Sequence, residues 1–112
     1  MSREFAAYAA DQMSAAGSVR LRPMFGAYTL YLNGKVMGIV GDGAVYIKRT
    51  AAGEAVWPDL PLQAPYEGAK PHFLLESLED RELLARFLLA TWEEVPLPKP
   101  RKKTRLFPES FT

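Results

Sequence analysis

The 112-residue sequence contains no cysteine and a single histidine, His72. A disulfide framework, a thiolate zinc site, an iron–sulfur cluster and a cysteine nucleophile are therefore excluded, as is any site built from several histidines. No apolar run approaches the roughly 18 residues that cross a bilayer. The start, Met1-Ser2-Arg3-Glu4-Phe5, places an acid where a secretory signal carries its basic end and apolar block. A cytoplasmic protein is the expectation. What remains is 48% hydrophobic, 24% charged and 12% aromatic, the composition and size of one globular domain.

The net charge of +1 hides an asymmetry. Residues 1–98 hold nine Lys or Arg against twelve Asp or Glu, whereas residues 99–112 hold five basic residues against Glu109 alone. Pro96, Pro98 and Pro100 fix φ and remove donors, and the like charges that follow repel one another, so a helix is not expected there. The reading is a folded domain over 1–95 and a Pro-rich basic tail over 96–112. Lys99, Arg101, Lys102, Lys103 and Arg105 form the tail's candidate phosphate-binding set, since contacts of this kind need only positive charge and weaken steeply with salt. The competing reading is a solvated terminus.

Between Ser2 and Ala16, Phe5, Tyr8, Ala9, Met13 and Ala16 recur at three- and four-residue steps, which predicts a helix, with Gly17 as a left-handed C-terminal cap. From Val19 the period becomes two. Val19 and Leu21 alternate with Arg20 and Arg22, and Tyr28, Leu30 and Leu32 with Thr29 and Tyr31, predicting strands with a break or bulge between Pro23 and Gly26. Tyr28 shares the phase of Leu30 and Leu32 and is expected against the core, with Tyr31 on the opposite face. Asn33-Gly34 is a two-residue hairpin turn, because both positions of a type I′ turn need positive φ. Strands at 35–40 and 44–48 complete an antiparallel meander. Residues 49–71 lose all period, with a helical turn near 51–56 inside a long ordered loop. A short strand at 72–75 is followed by Ser77-Leu78-Glu79-Asp80, which reads as an N-cap with acids in the first turn. A helix over about 79–94, with Leu83, Leu84, Phe87, Leu88 and Thr91 on one face, closes the domain. The fold class is α+β, a two-layer sandwich with the N- and C-terminal helices on one face of the sheet. The other face is left to water or to a second copy, so a homodimer is expected.

Motifs for chemistry are few. Gly41-Asp42-Gly43 opens like a phosphate loop but lacks a third glycine and leads into a strand, not a helix. His72 has no nucleophile context around it, and Glu79, Asp80 and Glu82 are acids of the kind a first helical turn favours. No catalytic residue, cofactor or metal is expected. Phe25, Tyr28, Tyr31 and Tyr46 near Arg20, Arg22 and Lys48 could stack nucleic-acid bases, against the plainer reading of core or dimer contacts.

The segment Arg22-Pro23-Met24-Phe25-Gly26-Ala27-Tyr28-Thr29-Leu30-Tyr31-Leu32-Asn33-Gly34-Lys35 resembles the N-terminal domain of the TfoX/Sxy family, and the resemblance extends over about residues 3–94. It implies a compact sandwich with an antiparallel sheet and no catalytic residues. Full-length members are regulators of natural competence that are held to act with the cyclic-AMP receptor protein, and they carry a second, helical domain where this sequence has its basic tail. The resemblance points to a non-enzymatic regulatory domain with a protein partner such as a transcription factor. Its candidate surface is Arg22, Met24, Phe25, Gly26, Tyr28, Tyr31 and Lys48. A small-molecule sensor, with Trp57 and Tyr66 lining a pocket under residues 49–71, is the alternative; an enzyme is the remote one.

Overall fold

The structure, a computed structural model, describes residues 3–96. Helix α1 (Arg3–Met13) ends in a short 3-10 turn (Ser14–Ala16) and leads into β1 (Val19–Met24), β2 (Ala27–Leu32), β3 (Lys35–Val40) and β4 (Val45–Lys48). Then come α2 (Ala51–Val56), β5 (Leu62–Gln63), β6 (His72–Leu75) and α3 (Arg81–Glu94). All strand pairs are antiparallel, in the order β1-β2-β3-β4-β6-β5. The four-strand meander is as the period-two pattern predicts. Strand β5 was not foreseen: a two-residue strand among prolines has no period to read.

The core lies between the sheet and α1 and α3, with α2 packed beside α3. Ala6, Ala9, Met13 and Ala16 are its α1 side, and Leu84, Phe87, Leu88 and Thr91 its α3 side. Ala9, Met13 and Ala16 of the expected stripe are buried, but Ala6 takes the place expected for Phe5 and Tyr8. Small alanines bring the helix close, while Tyr8 is 43% exposed on the flank beside Phe5, its ring centroid 6.3 Å away. Phe73, Phe87 and Trp57 form an edge-to-face chain, 5.1 Å and then 5.6 Å between centroids, in the arrangement the ring quadrupoles favour. Helix α3 starts at Arg81, two residues later than expected, because Asp80 and not Ser77 caps it, its side chain accepting from the Leu83 amide at 3.0 Å.

Two other local expectations are corrected. Gly17 is not a left-handed cap: at φ 149° and ψ −154° it takes an extended conformation open to glycine, and Ser18 is then held by Asn33, whose side-chain oxygen accepts its amide at 2.9 Å. The interruption at 23–26 is no bulge. Met24 pairs with Ala27, so Phe25-Gly26 is a second two-residue hairpin turn with φ of 40° and 83°, the same sign pattern as Asn33-Gly34 at 46° and 86°. Pro23 stays inside β1 because β1 is the sheet edge, where a missing donor is tolerated. The bulge sits instead opposite Leu30 and Tyr31, where β3 carries Met37 as an extra residue. It resets the alternation, so that Lys35, Met37 and Val40 are all buried although strict period two would separate them.

Candidate functional site

Alternation and burial assign each strand residue to one of two faces. Toward the helices go Leu30, Leu32, Val40, Val45, Ile47, Phe73 and Leu75, all at most 1% exposed, with Tyr28 partly buried against them. Away from the helices go Arg20, Arg22 and Met24 of β1, Thr29 and Tyr31 of β2, Ile39 of β3, Lys48 of β4 and His72 of β6. Of the seven-residue candidate surface, this second face therefore collects Arg22, Met24, Tyr31 and Lys48. Phe25 and Gly26 stand at its corner, on the hairpin tip, and Tyr28 lies on the other side of the sheet. The basic set Lys99, Arg101, Lys102, Lys103 and Arg105 lies outside the described residues.

The uncovered face is uniform in sign. None of the six strands contains Asp or Glu, so its ionisable groups are cations and tyrosines, with His72 among them. Arg20 lies over the Tyr31 ring of its cross-strand partner, 5.2 Å from the centroid, within cation–π reach. Thr29 donates from Oγ1 to Met24 Sδ at 3.3 Å and fixes that side chain beside the turn.

Residues 64–71, between β5 and β6, fold back over this face as a flap. Tyr66 of the flap meets Met24, Phe25, Ala27, Ile39 and Pro65 around a groove of about 420 Å³. A continuing groove of about 470 Å³ runs from Met24, Ile39 and Tyr66 to Lys48, Lys70 and His72. Lys48, Arg49, Lys70 and His72 also line the cavity beyond, of about 480 Å³. One end is thus apolar and the other cationic. Lys48 and His72 are direct cross-strand partners, and His72 Nδ1 donates to the Lys70 carbonyl at 2.8 Å, tying the flap to the strand. Partial burial holds the Lys48 ammonium below its ordinary 10.5, because desolvation disfavours its charge. Arg49 pairs with Glu54 at 3.5 Å, whereas Lys48 and Lys70 have no ion pair among the described residues.

The expected pocket under 49–71 is built differently from the reading of Trp57 and Tyr66 as joint lining. Tyr66 lines the groove, but Trp57, at the end of α2, packs on Phe87 on the helix side of the sheet. Lys70 and Ile39 were missed by sequence reasoning. The phase of Ile39 depends on the β3 bulge, and Lys70 lies in a stretch with no period, so neither carried a signal. Among the described residues, no group of three or more His, Asp or Glu side chains could hold a metal ion, and no helix is long and apolar enough to cross a membrane.

The fold and the groove define a small α+β domain whose prominent surface is an uncovered, acid-free sheet face. Comparison with known families gives its place: residues 11–94 match the TfoX N-terminal domain, and the chain belongs to that family. It is also 34% identical over 99 residues to an uncharacterised 12.7 kDa protein of the trpE 5′ region of Spirochaeta aurantia, covering 88% of this chain and 86% of that relative. No solved structure matches.

Proposed function

We infer that this chain is a non-enzymatic regulatory domain that works by contact, presenting the Met24–Ala27 hairpin and the adjoining sheet face to a protein partner such as a transcription factor. Membership of the TfoX N-terminal domain family supports a regulatory domain. The observation that carries the contact surface is Phe25. Its side chain is fully exposed, at 104% of the reference area, while its backbone sits at φ 40°. A non-glycine residue in the left-handed region costs about 1–2 kcal/mol, and an aromatic ring held in water gains nothing in return from the isolated fold. A partner that buries the ring supplies the missing return.

The test is site-specific photo-crosslinking in the native host, with benzoylphenylalanine at position 25 and, as a control exposed aromatic, at position 8. A single discrete adduct at 25 and none at 8 supports the reading; equal adducts, or none at 25, remove it. Contact with nucleic acid through Lys99, Arg101, Lys102, Lys103 and Arg105 is part of the same proposal. Duplex and single-stranded DNA binding by the full chain, and not by a chain ending at Pro98, is the expected outcome at near-physiological salt. Binding that vanishes with modest salt assigns the tail to solvation. Self-association across the uncovered face has its own test in the mass in solution at tens of micromolar protein, where a single-chain mass excludes it.

A further inference from the structure

We propose that the groove between the uncovered sheet face and the 64–71 flap is a binding site for a small organic anion. The acidic head, a carboxylate or phosphate, sits at Lys48 and Lys70, and the apolar body lies over Ile39 and Met24 beneath Tyr66.

Size, sign and segregation each point to this class. Cavities of about 420 and 470 Å³ lie in the range of roughly 300–1,000 Å³ that small-ligand sites occupy. The lining holds no acid, and the strands that floor it hold none either. Lys48 pays a desolvation penalty without a carboxylate beside it, and a partly buried ammonium of this kind is ordinarily paired. The apolar and cationic groups stand at opposite ends of one groove, which fits a ligand that is itself divided into body and head. The chain's own segment 99–105 is an unsuitable occupant, since its five basic residues carry the groove's sign. Because Met24 and Phe25 line the apolar end and also form the hairpin, occupancy reaches the surface read above as the partner contact. The site stands without that reading, as ligand binding is measured on the chain alone.

The experiment uses the full chain and the aryl sulfonate 1-anilinonaphthalene-8-sulfonate as a fluorescent probe, with decanoate and decanol as competitors. Saturable binding of one probe per chain is expected. Decanoate should displace it at least tenfold more effectively than decanol, and a Lys48→Met, Lys70→Met double variant should weaken probe and decanoate at least tenfold. A cooperative melting transition no lower than that of the natural protein will show that the variant is folded. Ile39→Glu provides a second arm at the apolar end, where probe binding should be lost. Equal displacement by decanol and decanoate, undiminished binding in the double variant, or several probes per chain would overturn the proposal. Displacement by single-stranded oligonucleotide at lower concentration than by decanoate would overturn it in favour of a nucleic-acid face.

Discussion

Lys35 Nζ donates to the Trp92 carbonyl at 2.8 Å and sits 3.7 Å over the Trp92 ring, although Lys35 is only 7% exposed. Trp92 answers by donating from Nε1 to the Leu32 carbonyl at 2.7 Å. The Asn33-Gly34 hairpin is thereby locked to the end of α3, which has no basic residue in its own last turn and takes its cation from β3. A hydrogen bond from a charged donor is worth about 1.5–3 kcal/mol when its partner is buried, with the ring adding to it. Lys35→Met should lower unfolding free energy by roughly that amount in urea titration. Trp92→Phe should be non-additive with it, because the two side chains act as one unit. Additive losses would show that the lock is not a unit.

Phe25→Asn separates strain from function. Asparagine tolerates the left-handed region that phenylalanine occupies at φ 40°, and the ring it removes is buried against nothing. The variant should be more stable by about 1 kcal/mol, a rise of roughly 4–8 °C in Tm for a domain of this size, while losing the crosslinked partner. A destabilised variant would mean that the ring supports the fold.

Gly38→Ala should fail to form the native sheet. A Cβ there would overlap the Tyr46 carbonyl oxygen and stand 3.0 Å from the Ile47 Cα, both backbone atoms of the paired strand. Overpacking against side chains costs about 1–3 kcal/mol, and backbone offers less relief. Loss of the cooperative thermal transition by circular dichroism is the expected result. Gly43→Ala is the contrast: open space surrounds it, and only its φ of 88° is strained, so a folded, modestly weakened protein is expected.

The depressed Lys48 ammonium gives a pH dependence with a definite sign. Between its folded value and the unfolded 10.5, the unfolded chain binds the extra proton, so unfolding free energy rises with pH in that window. Below the window both states are charged and the desolvation penalty is fully present. Compared with Lys48→Met, the natural protein should therefore be relatively less stable at neutral pH and close the gap as pH approaches 10.5. Affinity for an organic anion should run the other way, falling as Lys48 loses its proton. Parallel stability profiles for the two proteins would remove Lys48 as the titrating group.

Much of this architecture is legible in short-range chemistry. Asn33-Gly34 announces its turn because both residues accept positive φ, and Leu84, Phe87, Leu88 and Thr91 announce the buried stripe of α3 through helical spacing. The second turn was misread because phenylalanine is a poor residue for the left-handed region, so Met24-Phe25-Gly26 looked like a break in a strand. Its conformation is set by the pairing of Met24 with Ala27 on either side. The candidate surface was legible only in part. Period two separates Tyr28 from Tyr31, but it cannot say that Lys48 stands opposite His72, because that depends on β6 inserting beside β4 across an aperiodic connection.

By itself, then, the sequence determined the α+β class, the four-strand meander, the closing helix and the exclusion of thiol and multi-histidine chemistry, all of which follow from local periodicity, turn preference and residue inventory. Only the tertiary structure decided that the bulge at Met37 restores the buried phase of β3, that Trp57 packs with the helices, and that a flap carrying Tyr66 and Lys70 closes over an acid-free sheet face. Those features arise between residues far apart in the chain. Strand order and loop path fix them, and neither leaves a period for a reader of the sequence to find.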